Sequence, residues 1–545
     1  MTTAESGLSE GKDRAAAARA LALAALLIFS PLVYAVDTGT QATASTAAEG
    51  CNPGSESESF WERLADSYRA HLHPNEPPST AGTAPPAPPG TDATAAAPSI
   101  DAGGYRRGLS PPPESVPPWP YSTWPIGGTP AIGYENIYYG PLMDAIWCGK
   151  NGKQWKDSRF TIYGWIEPGA NLSTSSSHYN LSTGTGGNYP AAYAFEPNKI
   201  QLDQLALYLE RTPDEVQFDH IDWGFRVAGL YGTDYKYTFA QGILSSQYTN
   251  DEKHNGFDPV MYYMDFWFPQ IVEGENVRVG RYISIPDIEA QLAPNNLTYS
   301  HSLLYTVDPY TQTGIVSTTK LNKNWQIQTE ISSGNDVAPW VKSERHLTPA
   351  ACVIWTSDSG KDNIYPCMNG LNDGNWRWNN VQHAVVTWYH KFDEHWHTDT
   401  EIWYMWQSHT PNVNNPAGVA FIGQRYSYVN VGAPNGAQCN PAVVFCYSYE
   451  WAAVNYINYQ IGPRDIVVWR TDYLDDATAQ RTGYKSRYYE FDLSYTHWMG
   501  DMIELRPEIR LDHSRDAEAY DNPSATPDGG RHSQFMFAMD AIIHF

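Results

Sequence analysis

The feature that most constrains this chain is a pair of neighbouring segments with period-two patterning. Tyr489, Phe491, Leu493 and Tyr495 alternate with Glu490, Asp492, Ser494 and Thr496. After a turn at Met499-Gly500-Asp501, Ile503, Leu505, Ile509 and Leu511 alternate with Glu504, Arg506, Glu508 and Arg510. Successive strand residues point to opposite faces, so each arm carries one apolar and one charged face. The arms are about ten residues long, the length a tilted strand needs to cross a bilayer. Soluble strands average about five or six. This length predicts a membrane hairpin with its apolar face toward lipid.

The segment ending in Phe545 repeats the pattern. Phe535, Phe537, Met539, Ala541, Ile543 and Phe545 form one face, with Gln534, Asp540 and His544 on the other. A closing strand of this kind is a candidate assembly signal for barrel-assembly machinery, with Phe545 as its key residue. The aromatic content, 37 Tyr, 20 Trp and 17 Phe, suits a barrel with rings at both membrane interfaces. Secreted sugar-binding proteins are aromatic-rich too, so composition alone leaves that class open; strand length disfavours it. A multi-span helical protein is excluded, because the chain has only one apolar run.

That run lies at the start. Lys12, Arg14 and Arg19 precede Leu21–Phe29, and Val33-Tyr34-Ala35 follows. A basic region, a short apolar core and small residues before the cleavage point predict a signal peptide over 1–35. Residues 36–120 read as periplasmic: an amphipathic helix over Phe60–Leu72, apolar at every fourth position, then a Pro/Ala-rich disordered linker. Residues 121–157 read as a transition or plug containing Pro141–Trp147, and 158–545 as the barrel.

Barrel parity can be tested along the sequence, since short turns and long loops must alternate when both ends lie in the periplasm. They do, working back from Phe545, with the stretches around 335–380 and 408–446 read as long extracellular loops. The reading is all-β: a transmembrane antiparallel up-and-down barrel of about fourteen strands, with sixteen admitted by one further hairpin. Cys352 with Cys367, and Cys439 with Cys446, fall in those two loops and are candidates for disulfides, as an exported protein permits. Cys51 and Cys148 are left over; Ala48-Glu49-Gly50 makes a poor lipobox for Cys51.

Several stretches resemble a known family. They are Tyr163-Gly164-Trp165, Asp222-Trp-Gly-Phe-Arg226, Val277 to Asn296 and Thr298 to Tyr305. Together they resemble the outer-membrane β-barrel porins of the OmpL-like, "porin-2" type, over roughly 124–545. The resemblance implies a porin-like barrel in the outer membrane of a Gram-negative-type bacterium, and brings no enzymatic residues.

A porin sorts solutes by the charges lining its lumen. On the strand register Arg226, Arg278, Glu504, Arg506, Glu508 and Arg510 point inward, either setting a transverse field or satisfying one another as ion pairs. The loop 287–311 is the candidate constriction, with Asp287 and Glu289 facing the basic strand residues; its alternative is an ordinary surface loop. The expected function is passive diffusion of small hydrophilic solutes. The alternative is a structural or adhesive barrel whose disulfide-stapled loops bind partners.

No catalytic residues, cofactor or metal ligands are expected. There is no G-x-S-x-G elbow, and His390, His395 and His397 straddle a turn that reads as solvated. Asp475 and Asp476 read as exposed loop charge. The net charge of −25 argues against nucleic acid. Expected partners are the bilayer, lipopolysaccharide and the assembly machinery, and the reading is compatible with a homotrimer.

Overall fold

The computed structural model describes residues 57–72, 132, 140–179 and 186–545, apart from 192, 252, 286, 360, 394, 426–435, 463, 501, 525 and 527. The predicted signal peptide, the Pro/Ala-rich linker and Cys51 lie outside the described residues.

Sixteen antiparallel strands form a closed ring in which each pairs with its sequence neighbours and the last pairs with the first. They are β1 Phe160–Ser173, β2 Ile200–Arg211, β3 Asp222–Gly232, β4 Gly256–Phe268, β5 Glu275–Ile283, β6 Thr311–Lys320, β7 Trp325–Asn335 and β8 Thr348–Thr356. The second half comprises β9 Asp362–Asn369, β10 Gln382–Lys391, β11 Trp396–Pro411, β12 Phe445–Gly462, β13 Asp465–Asp476, β14 Ser486–Met499, β15 Ile503–Ser514 and β16 Ser533–His544. Closure leaves no strand edge, the condition for placing backbone amides in hydrocarbon.

The period-two pattern separates two environments. In β14 and β15, Phe491, Leu493, Ile509 and Leu511 are exposed on the outer wall, while Glu490, Asp492, Arg506, Glu508 and Arg510 are buried inside. Phe535, Phe537 and Met539 continue the outer apolar surface around β16. Trp223, Trp325, Trp388 and Trp396 are also exposed on the outside, near strand ends. This is a lipid-facing exterior around a polar interior.

Of the two strand counts the sequence admits, the structure has sixteen. The additional hairpin is β8–β9, inside the stretch read as one long loop. Its pattern is obscured because both faces of β8 are apolar or small. Ala350, Cys352 and Ile354 point inward, while Pro349, Ala351 and Val353 point out. This corrects the position of one cysteine pair. Cys352 and Cys367 are directly opposed on β8 and β9 and are disulfide-bonded at a Cα–Cα distance of 4.2 Å. They lie on the inner wall, not on an extracellular loop. The Cys439–Cys446 disulfide does belong to a loop, tying the segment after helix α4 (Pro416–Arg425) to the rim of β12. Cys148 is disulfide-bonded as well.

Three short helices precede the barrel: α1 Phe60–Leu72, α2 Pro141–Trp147 and α3 Gly152–Ser158. Ser59 and Glu62 cap α1 reciprocally, the Ser59 amide donating to Glu62 at 2.9 Å and the Glu62 amide to Ser59 Oγ at 3.3 Å. Arg63 Nε donates to the Ala145 carbonyl at 2.9 Å, and His71 lies 2.7 Å from Asp144. These contacts dock α1 on α2, with the end of α1 beside Gly500 in the β14–β15 turn. No described helix is long and apolar enough to cross a membrane.

Candidate functional site

The long connection 284–310, between β5 and β6, runs into the barrel. Nearly every residue described in it is buried. Its polar groups meet inward side chains from several parts of the wall. On β2, Gln204 Nε2 donates to the Gln291 carbonyl at 2.7 Å, and Asp203 accepts from Tyr299 Oη at 3.0 Å. Gly169 of β1 makes room there: a Cβ at that position would fall 2.4 Å from the Tyr299 hydroxyl.

The other side of the loop is held by β13 and β15. Arg506 donates to the carbonyls of Ala293 at 2.9 Å and Asn296 at 2.8 Å. Arg510 donates to the His301 carbonyl at 2.6 Å, and Glu508 accepts from the Ser300 amide at 3.0 Å. Arg470 reaches Thr298 Oγ1 at 2.6 Å and the Ser300 carbonyl, and Asp472 accepts from the Leu303 amide at 2.8 Å. β5 and β6, from which the loop springs, lie eight and seven strands from β13 in the ring of sixteen, so the loop crosses the lumen; β2, which steadies it on the way, is three strands from β15.

Within the loop, Glu289 accepts from the Ser302 amide at 2.8 Å, from the Ser302 hydroxyl, and from Tyr456 of β12 at 2.9 Å. Burial raises its pKa, opposed by the nearby Arg470 guanidinium. Glu289 therefore faces a basic strand residue. Asp287 has acidic company instead: Asp308 is beside it, and burial pushes its pKa up to about 7. Above the loop, aromatic rings from three connections stack. Tyr193 lies 3.6 Å from the His301 ring and 4.4 Å from Tyr237. Arg481, from the β13–β14 connection, donates to the Val307 carbonyl at 2.9 Å.

The inward strand residues are paired with acids across the ladder. Arg226 Nε lies 2.6 Å from Glu210, Arg278 Nε 2.8 Å from Asp265, and Arg510 Nη2 3.1 Å from Glu490, with Asp512 of its own strand 2.9 Å from Arg510 Nε. Arg506 pairs with Asp540 and lies 3.4 Å from Glu167. Arg506 and Arg510 are fully buried beneath the loop. Arg470 occupies an equivalent inward position that the sequence pattern did not single out, because β13 mixes polar and apolar residues on its inner face; Arg281, of opposite parity to Arg278 on β5, is fully buried as well, 3.0 Å from Asp258. Charge-assisted, fork-like bonds of this kind fix geometry as well as charge.

The histidines around the 392–395 turn do not converge. His390 lies 2.6 Å from Asp362, His395 approaches the Gln460 carbonyl at 2.7 Å, and His397 is buried on β11. Asp476 is not exposed charge either. It is fully buried and accepts from the amides of Gln480, Arg481 and Thr482 at 3.0, 3.1 and 2.8 Å, organising the loop that follows β13.

Beside the inward loop is a cavity lined by Ile288, Glu289, Asn295, Asp399, Tyr456 and Glu504. A closed sixteen-strand barrel with an apolar exterior, a charged interior and a loop laid across its lumen defines an outer-membrane β-barrel of the porin type. The profile of the family described as "Putative beta-barrel porin-2, OmpL-like" matches residues 159–545, and the chain belongs to that family. Among solved structures, the outer membrane channel DcaP of Acinetobacter baumannii is similar at 12% identity, covering 71% of this chain and 97% of that one, with a TM-score of 0.44. An anion-selective porin from Comamonas acidovorans is similar at 10% identity, covering 71% and 99%, with a TM-score of 0.43. No curated protein sequence matches the chain.

Proposed function

We propose that this barrel passes small hydrophilic solutes by passive diffusion, with preference for cations, through the passage left between loop 284–310 and the wall. The observation that carries the reading is the inward loop itself, because a segment fixed across a lumen sets the narrowest section and its charge. The cavity beside it has three acids in its lining, Glu289, Asp399 and Glu504. Among the described residues, buried acids on the strands outnumber buried Arg and Lys. An acidic lining concentrates cations and raises the barrier to anions. The role is transport, with no chemistry performed on the solute.

The same reading extends to assembly: the segments before β1 are periplasmic, the outer rim meets lipopolysaccharide, and the strand ending in Phe545 is the part handled by barrel-assembly machinery. Trimerisation is compatible with it.

Planar-bilayer recording of the purified barrel under a salt gradient tests the proposal. A reversal potential of cation-selective sign is expected, shifted toward zero by Glu289→Gln and by Glu504→Gln. Absence of conductance, or selectivity unmoved by both substitutions, would sink the idea.

A further inference from the structure

We propose that Asp287, Asp308 and His383 form a binding site for one divalent transition-series cation of the Mn2+ or Zn2+ class, which pins loop 284–310 to strand β10. One ligand atom from each residue lies within 4.8 Å of those from the other two, and all three residues are buried. His383 is fully buried in the wall, and neither of its ring nitrogens has a hydrogen-bond partner. Its Nδ1 is aimed at the cluster, 3.6 Å from Asp308 Oδ1. Both carboxylate oxygens of Asp308 and Oδ1 of Asp287 receive no hydrogen bond from any other group. Buried polar groups are ordinarily satisfied; here a ring nitrogen without a partner faces two carboxylates from a loop far from it in sequence.

The surroundings orient these groups without neutralising them. Ser284 Oγ donates to the other oxygen of Asp287 at 2.9 Å, the outer hydrogen bond that metal-binding carboxylates characteristically receive. The Trp403 ring stands edge-on to His383 at 5.0 Å. Glu401, next door on β11, accepts from the Ile288 amide at 2.9 Å and adds further negative charge. The nearest arginine, Arg481, is directed elsewhere, to the Val307 carbonyl and to Asn379 at 2.9 Å. Two facing buried carboxylates are costly unless a cation or a shared proton lies between them. A metal ion bound at about 2.0–2.2 Å draws its ligand atoms to about 3–4 Å of one another, a small contraction of the present spacing. Imidazole combined with carboxylates suits Mn2+ or Zn2+ better than Ca2+ or Mg2+, which take oxygen ligands.

The competing arrangement is a proton shared between Asp287 and Asp308. The full-length barrel, freed of metal with EDTA and checked for folding by heat-modifiable gel migration, distinguishes the two. Mn2+ titration followed by the electron paramagnetic resonance of free ion, and Zn2+ titration by chelator competition, should each give one ion per chain. Asp308→Asn and His383→Gln should each weaken that binding at least tenfold and abolish the metal-dependent rise in melting temperature. The near-isosteric Asp308→Asn keeps the test decisive should His383→Gln fail to fold. Binding that survives Asp308→Asn, as ions held at the outer surface would, overturns the proposal. So does a wild-type barrel that takes up neither metal, which leaves the proton in place.

Discussion

Gly164 and Phe545 exchange both backbone hydrogen bonds where the barrel closes: the Phe545 amide donates to the Gly164 carbonyl at 2.9 Å, and the Gly164 amide to the Phe545 carbonyl at 3.1 Å. The Phe545 ring lies against the Cα of Gly164, where a Cβ would fall 2.6 Å from the ring and 2.1 Å from the Ala206 carbonyl. The missing side chain on β1 is thus the space into which the last residue of the ring packs.

Gly164→Val should therefore impair closure. Overpacking of this kind costs about 1–3 kcal/mol, and the collision with Ala206 is with backbone and cannot be relieved by a rotamer change. A lower unfolding temperature on heat-modifiability gels is expected for Gly164→Ala and a larger loss for Gly164→Val. Phe545→Ala should rescue only part of the deficit.

Arg506→Ala removes the partner of Asp540 and Glu167 and releases two carbonyls of the inward loop. Breaking a buried pair by deleting one member costs about 3–5 kcal/mol. Urea unfolding monitored by tryptophan fluorescence should show that loss. Arg506→Lys keeps the charge but cannot make the forked contacts, so it should recover less than half of it.

Leu493 sits mid-strand on the outer wall of β14, and Met499 at its end beside the turn; both are exposed. A charge facing lipid is costly at the midplane, about 2–4 kcal/mol, and nearly free at the interface. Leu493→Arg should lower folding stability in lipid vesicles by that amount, whereas Met499→Arg should change it by less than about 1 kcal/mol. Equal effects would contradict the membrane position assigned to this wall.

The Cys352–Cys367 bond closes a segment of sequence separation 15, for which chain entropy alone predicts a stabilisation of about 3 kcal/mol. Because neighbouring strands already hold this hairpin in register, a Cys352→Ala/Cys367→Ala double variant should lose less than that. Its conductance should equal that of the parent, since neither cysteine bonds to the inward loop, whose contact with β9 comes from the Tyr365 hydroxyl to the Ile285 carbonyl at 2.9 Å. Planar-bilayer recording alongside urea unfolding checks both expectations.

The strands whose two faces differ most in polarity were legible in the sequence. β14, β15 and β16 alternate because one side meets lipid and the other a charged interior. β8 and β9 were hidden because their inner faces carry Ala350, Cys352 and Ile354, or Tyr365 and Cys367, which look no different from a lipid-facing side. Asp287 and Glu289 could be picked out from the position of their loop, but not the environments that separate them: one lies near Arg470 and the other near a second acid. His383 left no mark at all. It is distant in sequence from Asp287 and Asp308, and only the closure of the ring and the folding-in of the loop bring the three together.

The loop, rooted in β5 and β6 and held at its far end by Arg470, Arg506 and Arg510, acts mechanically as a crossbeam. A ring of strands joined only to neighbours can flatten into an oval with little change to its hydrogen bonds. With a beam anchored at both ends, flattening along that line must compress the loop, and widening must pull arginine forks from their carbonyls. The cross-section is therefore stiff along one diameter and compliant along the perpendicular one. Lateral pressure from the bilayer would change the shape of the passage rather than simply its size.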